Sequence, residues 1–309
     1  MLVYLIRRLL WMPILLLIIA LLTFAIGLYG PGDPIQQRLG TRSNPEAVAR
    51  LRAELGLDRP FLMQYGEYVG KAVRGDFGES ITLFPGKPIR ELLAGRLWVS
   101  LQINLVALLL GAFFGIPIGI VAALFRNTPL DYFLMFGIVL AISFPTFVLL
   151  PILMWLFIEQ IPLLGVGWGG LLSSKAILPI SVLSLGPLAV YARQTRANLA
   201  EVLEQDFIRT ARGKGLSETT VLLRHALRNA MIPLITIFGL MLGGLVSGSF
   251  ITETLLGIPG IGRLGVDAFY ARDYPIIMAL TLLIAVGYAV ANLLVDLLYA
   301  YADPRIRVQ

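Results

Sequence analysis

Apolar residues run in six long stretches, at 9–29, 97–125, 130–158, 176–192, 231–251 and 276–301. A helix needs roughly 20 mostly apolar residues to cross a bilayer, so each stretch predicts a transmembrane helix. The second and third exceed that length, which predicts tilt, kinks at Pro117 and Pro145, or ends that project from the membrane. The fourth is the shortest and carries Pro179 and Pro187. The first, following Arg7 and Arg8, reads as a retained helix, because its apolar run is about 20 residues long and Phe24–Tyr29 offers no small-x-small cleavage site.

Between these stretches the polar residues are unevenly shared. The segments assigned to the cytoplasm hold Arg7, Arg8, Arg126, Arg193, Arg196, Arg209, Arg212, Lys214, Arg224, Arg228, Arg305 and Arg307, whereas the short outer loops hold Lys175, Arg263 and Arg272. That asymmetry places both termini inside, because short cytoplasmic loops collect Lys and Arg. The cytoplasmic excess also suits anionic headgroups of the surrounding lipid bilayer. The basic residues of 30–96 are offset by Asp33, Glu46, Glu54, Asp58, Glu67, Asp76, Glu79 and Glu91, and a loop of that length crosses largely regardless of charge.

The chain thus reads as an all-α integral membrane protein with six transmembrane helices, N-in and C-in, with a small helical external subdomain between spans one and two. Its expected parts are the first helix with its N-terminal segment (1–29), the external subdomain (30–96) and a five-helix core (97–309) with a cytoplasmic loop at 193–230.

In the external segment, Asn44 suits an N-cap, Pro45 the first helical position and Glu46 the helix dipole, with Val48, Leu51 and Leu55 on one face and Gly56 as a stop. A second amphipathic helix follows Pro60, with Phe61, Tyr65, Tyr68, Val69 and Ala72 on its apolar side. Gly75-Asp76-Phe77-Gly78-Glu79-Ser80 then predicts a turn-rich return. Such a subdomain either docks an external partner or caps the helix ends. Gly257-Ile258-Pro259-Gly260-Ile261-Gly262 reads as an external gate or cap, since a nucleotide loop would need a preceding strand.

Composition narrows the chemistry. Of 309 residues 57% are hydrophobic and 14% charged, with no cysteine and one histidine, and the mean hydropathy is +0.81. Soluble and disordered classes are excluded, as are disulfide scaffolds, cysteine nucleophiles and multi-histidine zinc sites. No G-x-x-x-x-G-K-[ST] loop is present, because Gly70-Lys71, Gly86-Lys87 and Gly213-Lys214 lack the upstream glycine and the following Ser or Thr.

The loop between spans four and five carries the strongest signal. Asp206 is placed to cap a short helix with Phe207, Ile208 and Ala211 on an apolar face and Gly213 and Gly215 ending it. Ser217 is placed to cap the next, with Glu218 in its first turn. A short, stiff helix tied at both ends to membrane helices suits the transmission of motion from a cytoplasmic protein; the alternative is an amphipathic helix lying on headgroups.

Inside the membrane, Gly239, Gly243, Gly244 and Gly248 set small residues close together on span five, which favours close helix contact over a substrate role. Asp296 is a carboxylate well inside a span, either functional or in a structural contact near the inner surface. Asn104 and Ser143 are weak pathway candidates. His225, between Arg224 and Arg228, fits the loop fold or an interface.

The stretch Asp206-Phe207-Ile208-Arg209-Thr210-Ala211-Arg212-Gly213-Lys214-Gly215-Leu216, followed by His225-Ala226-Leu227-Arg228-Asn229-Ala230-Met231-Ile232-Pro233, resembles the inner-membrane permease subunits of ABC importers, in particular the dipeptide and oligopeptide branch. Arg209-Thr210-Ala211 with Gly215 occupies the place of the family's degenerate "EAA…G" loop. Pro31-Gly32-Asp33-Pro34, Gly75-Asp76-Phe77-Gly78, Glu253-Thr254 before Pro259-Gly260-Ile261-Gly262, Arg272-Asp273-Tyr274-Pro275 and Asp303-Pro304-Arg305-Ile306-Arg307 add to the resemblance, which extends along nearly the whole chain.

The resemblance implies the type I importer permease fold and a multi-pass inner-membrane location. It implies a non-enzymatic translocation subunit that works by alternating access on peptides handed over by an extracytoplasmic binding protein. The partners implied are a second, related permease and cytoplasmic ATPases that bind ATP and Mg; no cofactor is implied in this chain, and no nucleic acid. Residues 204 and 206–215 would form the ATPase-coupling loop. Arg209 stands where the general pattern has glutamate, which leaves Glu204 or Asp206 as the acidic contact. Look-alikes also carry glutathione, nickel complexes and some sugars. An ion-coupled secondary transporter is the rival class, and it would need midplane ion-binding groups and usually an internal repeat.

Overall fold

A backbone in hydrocarbon must bond its own N–H and C=O groups, and helices do so within one segment. The computed structural model describes residues 2–29, 44–54 and 58–302, without the side chains of 2–9, 45, 47, 51–52, 54 and 296–302. Among the described residues all regular structure is helical, and Glu79 and Pro88 form an isolated β-bridge. Five helical stretches are long and apolar enough to cross a membrane: Leu10–Tyr29, Ile89–Leu124, Ser174–Leu203, Ile232–Leu255 and Tyr274–Val295. The sixth, Pro129–Ser143 with Thr146–Gln160, is a pair bent by 90°.

That bend exceeds the kink expected at Pro145. Phe144 is extended, as a residue before proline tends to be, and this ends α5 (Pro129–Ser143) outright before α6 (Thr146–Met154) begins. Pro117, by contrast, lies inside an unbroken 36-residue α4 (Ile89–Leu124). The fourth span is also longer than its apolar run: α7 (Ser174–Leu203) continues helically through the polar residues after Ala192. Helix formation there follows backbone continuity and packing rather than hydropathy.

The chain divides into two compact units. The first comprises 1–101, 246–254 and 259–290; the second comprises 102–245, 255–258 and 291–309. In the first, Ile89, Leu93, Ile261, Leu264, Ala268 and Ile276 are buried together, with Phe77, Leu83 and Phe84 packed against them. The buried six come from α4, from α12 (Ile261–Tyr270) and from α13 (Tyr274–Ala302), and the other three from the segment before α4.

Asn44 caps α2 (Pro45–Glu54) as expected, its Oδ1 accepting from Glu46 N at 3.2 Å; Leu55 and Gly56 lie outside the described residues. The second amphipathic helix is α3 (Phe61–Ala72). Its aromatic side meets α1 (Leu2–Tyr29): the Phe24 ring lies 5.5 Å from both Phe61 and Tyr68, and Tyr65 Oη donates to Leu17 O at 2.8 Å. Burial pushes the Tyr68 phenol up from its ordinary value, so it stays neutral. The turn after α3 has Gly75 and Gly78 in the left-handed region, where glycine carries no Cβ penalty.

The second unit is built on a tight crossing. A Cβ on Gly111, Gly115 or Gly119 of α4 would lie 2.5–2.6 Å from Pro187 Cβ, Leu188 O or Ala192 O of α7. One small residue per turn thus lets the two backbones approach, as in small-xxx-small packing.

Candidate functional site

The loop singled out in the sequence is a folded element. Glu204 follows the last residue of α7, Gln205 is extended, and α8 (Asp206–Gly213) begins at Asp206. Asp206 is therefore the first helical residue rather than the N-cap, and no side chain caps this end. Its charge still favours the helix dipole, and Arg212 matches the other end. Gly213 is the last residue of α8, and a Cβ there would meet nothing within 4 Å. Gly215 has φ +76°, so the turn requires glycine at 215 and not at 213. Ser217 caps as expected, accepting from Thr220 N. The chain continues as α9 (Glu218–Thr220), a π-helical turn (Val221–Ala226) and a last α-turn (Leu227–Ala230) before α10 (Ile232–Gly244).

The face expected to be apolar is divided between two jobs. Ile208 and Ala211 are buried among Ala123, Leu199, Val221 and Ala226. Phe207 is 43% exposed, and Arg209, Thr210 and Lys214 are exposed beside it. Adjacent helical positions lie about 100° apart, so one buried residue turns its neighbour outward. The helix is thus bolted down by Ile208 and presents Phe207.

Ion pairs brace this platform. Arg212 grips Glu218 with two hydrogen bonds, Nε to Oε1 at 2.8 Å and Nη2 to Oε2 at 3.1 Å. Arg126 reaches Glu204 at 2.6 Å, and Arg209 reaches Asp206 at 3.4 Å. Both acids named as possible partner contacts therefore already have an intramolecular arginine. Behind them the Asp131 carboxylate, fully buried, accepts from Arg196 Nε at 2.5 Å and Nη2 at 2.6 Å, and from Asn127 N at 3.0 Å. Asn198 Nδ2 donates to Ala230 O at 3.3 Å, tying α7 to the end of the loop. The assembly is charged outside; no cluster of three metal-ligating side chains occurs among the described residues.

The other candidates separate. Asn104 donates to Leu245 O at 3.3 Å, satisfying a carbonyl in the 3-10 turn after α10. Ser143 donates to Val139 O at 2.7 Å within its own helix. The side chain of Asp296 lies outside the described residues. Gly239 faces Val295 so closely that a Cβ would overlap Val295 Cγ2; Gly243 is buried in α10 and Gly244 ends it. Gly248 is not in a helix at all: with φ +68° it turns the chain toward α11 (Phe250–Leu255).

Three features escaped sequence reasoning: the Asp131–Arg196 pair, the Gly111/Gly115/Gly119 stripe, and two buried carboxylates of the first unit. Glu253 accepts from Ser100 Oγ at 2.7 Å and from the Ser249 and Arg263 amides at 3.1 Å, while Ser100 Oγ accepts from Ile261 N at 2.8 Å. Gly260 is needed here, because its Cβ would run into the Glu253 carboxylate. The glycine-rich outer loop is thus moulded around one acid. Asp273 Oδ2 likewise accepts from Ser80 Oγ at 2.5 Å, Leu83 N at 2.9 Å and Thr82 N at 3.0 Å. An acid following an otherwise apolar run, or beside closely spaced glycines, was the available signal.

Comparison with known proteins agrees with this architecture. Residues 115–308 match the family described as binding-protein-dependent transport system inner membrane component, and residues 1–82 match the N-terminal part of such membrane components. The chain is 40% identical to the glutathione transport system permease protein GsiC of Salmonella typhimurium strain LT2, and 39% identical to that of Escherichia coli strain K12, in both cases over 98% of each chain. Among solved structures, an inward-facing form of the MetNI methionine ABC transporter superposes with a TM-score of 0.59 at 19% identity, covering 71% of this chain and 99% of the other. A second form gives 0.56 at 21% identity, covering 69% and 96%. The chain therefore belongs to the binding-protein-dependent inner-membrane transport components, and it is a multi-pass inner-membrane permease subunit of an ABC importer.

Proposed function

We propose that α8 is the coupling helix of this permease: Phe207 enters an apolar groove on a cytoplasmic ATPase, and nucleotide-driven closure of the ATPase pair pulls on α7 and the 218–230 segment. One observation carries this reading. The helix is anchored by buried Ile208 and Ala211 while Phe207, at the edge of that face, stays exposed together with Thr210 and Lys214. A helix lying on headgroups would turn its apolar residues outward together, whereas here they are split. ATP and Mg belong to the partner, since this sequence carries no phosphate loop.

The cargo is a short peptide delivered by an external binding protein. The named relatives carry glutathione, itself a tripeptide, so a small peptide with free carboxylates is the first substrate to try. A second, related permease completes the pathway, and the external segment 30–96 with the outer loops receives the binding protein.

The test separates the two halves of the helix. Phe207→Ala should reduce ATPase co-purification and ATP-driven uptake by at least tenfold while leaving the thermal stability of the permease unchanged. Uptake and association at wild-type levels in Phe207→Ala would remove the coupling assignment. Glutathione and labelled di- and tripeptides, offered with the cognate binding protein in proteoliposomes, test the cargo.

A further inference from the structure

Within the first unit, a cavity of about 490 Å³ lies between the end of α1 and the start of α13. On these two helices it is lined by Ile26, Ile277 and Met278, with Thr23 and Thr281. Both threonines donate to their own helices, to Ile19 O and to Ile277 O at 2.8 Å, which ties each hydroxyl to its own backbone. This part of the lining is therefore apolar. At its rim stand Phe269 and Tyr270, both largely exposed, and Arg272.

Arg272 is unusual in two independent ways. Its guanidinium has no carboxylate partner among the described residues, although Asp273 is the next residue; that neighbour turns away to bind Ser80, Thr82 and Leu83. Its backbone has φ +50°, a left-handed conformation that disfavours residues with a Cβ and that glycine adopts without cost. A side chain held at a strained position, unpaired, beside an apolar cavity points to a ligand.

Depth identifies the ligand. Thr23 and Ile26 lie in the last turns of the Leu10–Tyr29 span, and Ile277 and Thr281 in the first turns of the Tyr274–Val295 span. The cavity thus sits where hydrocarbon meets headgroups, on the outer side when the N-terminus is inside. We propose that it is a phospholipid site of the outer leaflet. An acyl chain lies along Ile26, Ile277 and Met278, and the phosphate pairs with Arg272 under the aromatic rim. Arginine suits this role because its planar fork matches phosphate oxygens.

The full chain, purified with whatever subunits accompany it and stripped of lipid in mild detergent, is titrated with dioleoylphosphatidylglycerol and followed by native mass spectrometry. Wild type should retain one lipid per chain, and Arg272→Gly should bind it at least tenfold more weakly. Arg272→Lys, which restores the charge but not the fork, should recover part of the affinity. Ile277→Trp, which fills the cavity, should also lose at least tenfold with Arg272 intact. Because glycine relaxes the left-handed backbone, Arg272→Gly should melt no lower than wild type without lipid, yet gain less when lipid is added. Equal lipid affinity in wild type, Arg272→Gly and Ile277→Trp overturns the proposal. So does an Arg272→Gly variant that binds lipid normally but loses an external binding protein, an outcome that assigns the arginine to an acidic protein surface instead.

Discussion

The two units both hold their loops on buried carboxylates, and they do so with different chemistry. In the first, Glu253 and Asp273 collect backbone amides and serine hydroxyls with no cation in the set. In the second, Asp131 is held chiefly by the Arg196 fork, and the outer pairs Arg126–Glu204 and Arg212–Glu218 repeat the arginine solution nearer to water. Amide donors are fixed by the backbone, so a carboxylate that gathers them freezes one loop shape. An arginine side chain is long and can swing, so a pair made by it holds an element while leaving it a way to move. The region read as an outer cap has the first kind of anchor, and the region read as a motion transmitter has the second.

The largest expected effect tests the buried arginine pair. Asp131→Ala leaves Arg196 without its partner, and breaking such a pair costs about 3–5 kcal/mol. It should show as a large loss of thermal stability in detergent, and Asp131→Ala with Arg196→Met together should recover much of it. If the double variant is no better than the single, Asp131 is acting through Asn127 N and not through the ion pair.

An intermediate effect tests the amide-bound acids. Glu253→Gln keeps the shape but points an NH2 group at donors, which costs about 1–3 kcal/mol for an unsatisfied buried group. Unlike the Asp131 variant, it should gain nothing from removing an arginine elsewhere. The smallest effect is that of Arg126→Ala, because a pair this exposed contributes about 0–1 kcal/mol. Raising salt should erase what remains of it and leave Glu253 untouched. Salt-sensitive loosening around Glu253 would dissolve the contrast between the units.

Local patterns were legible in the sequence to the extent that their physics is local. The spans follow from apolar runs, and the caps at Asn44 and Ser217 from side chains that reach two or three residues onward. The loop between spans four and five was visible as a short helix between membrane helices. Its division into an anchoring Ile208 and a presented Phe207 was not, because helix phase is set by Leu199, Val221 and Ala226, which approach only in three dimensions. Glu253 finds Ser100 across 153 residues, and Asp273 finds Ser80 across 193, distances at which no spacing rule operates. The glycine stripe at 111, 115 and 119 had a readable period, but its partner face on α7, with Pro187, Leu188, Ala192 and Thr195, has no matching glycines.

The π-helical turn at Val221–Ala226 has a consequence for how this loop can change over generations. Such a turn houses one residue more than the α-turn it replaces. Removing a single residue there lets the helix close up into regular geometry, with the segments before and after keeping their faces. The same deletion inside α8 would swing every following side chain by about 100°. The stretch from Val221 to Ala226 is thus the slack in the tether, a place where length can be edited without re-aiming the knob that Phe207 presents.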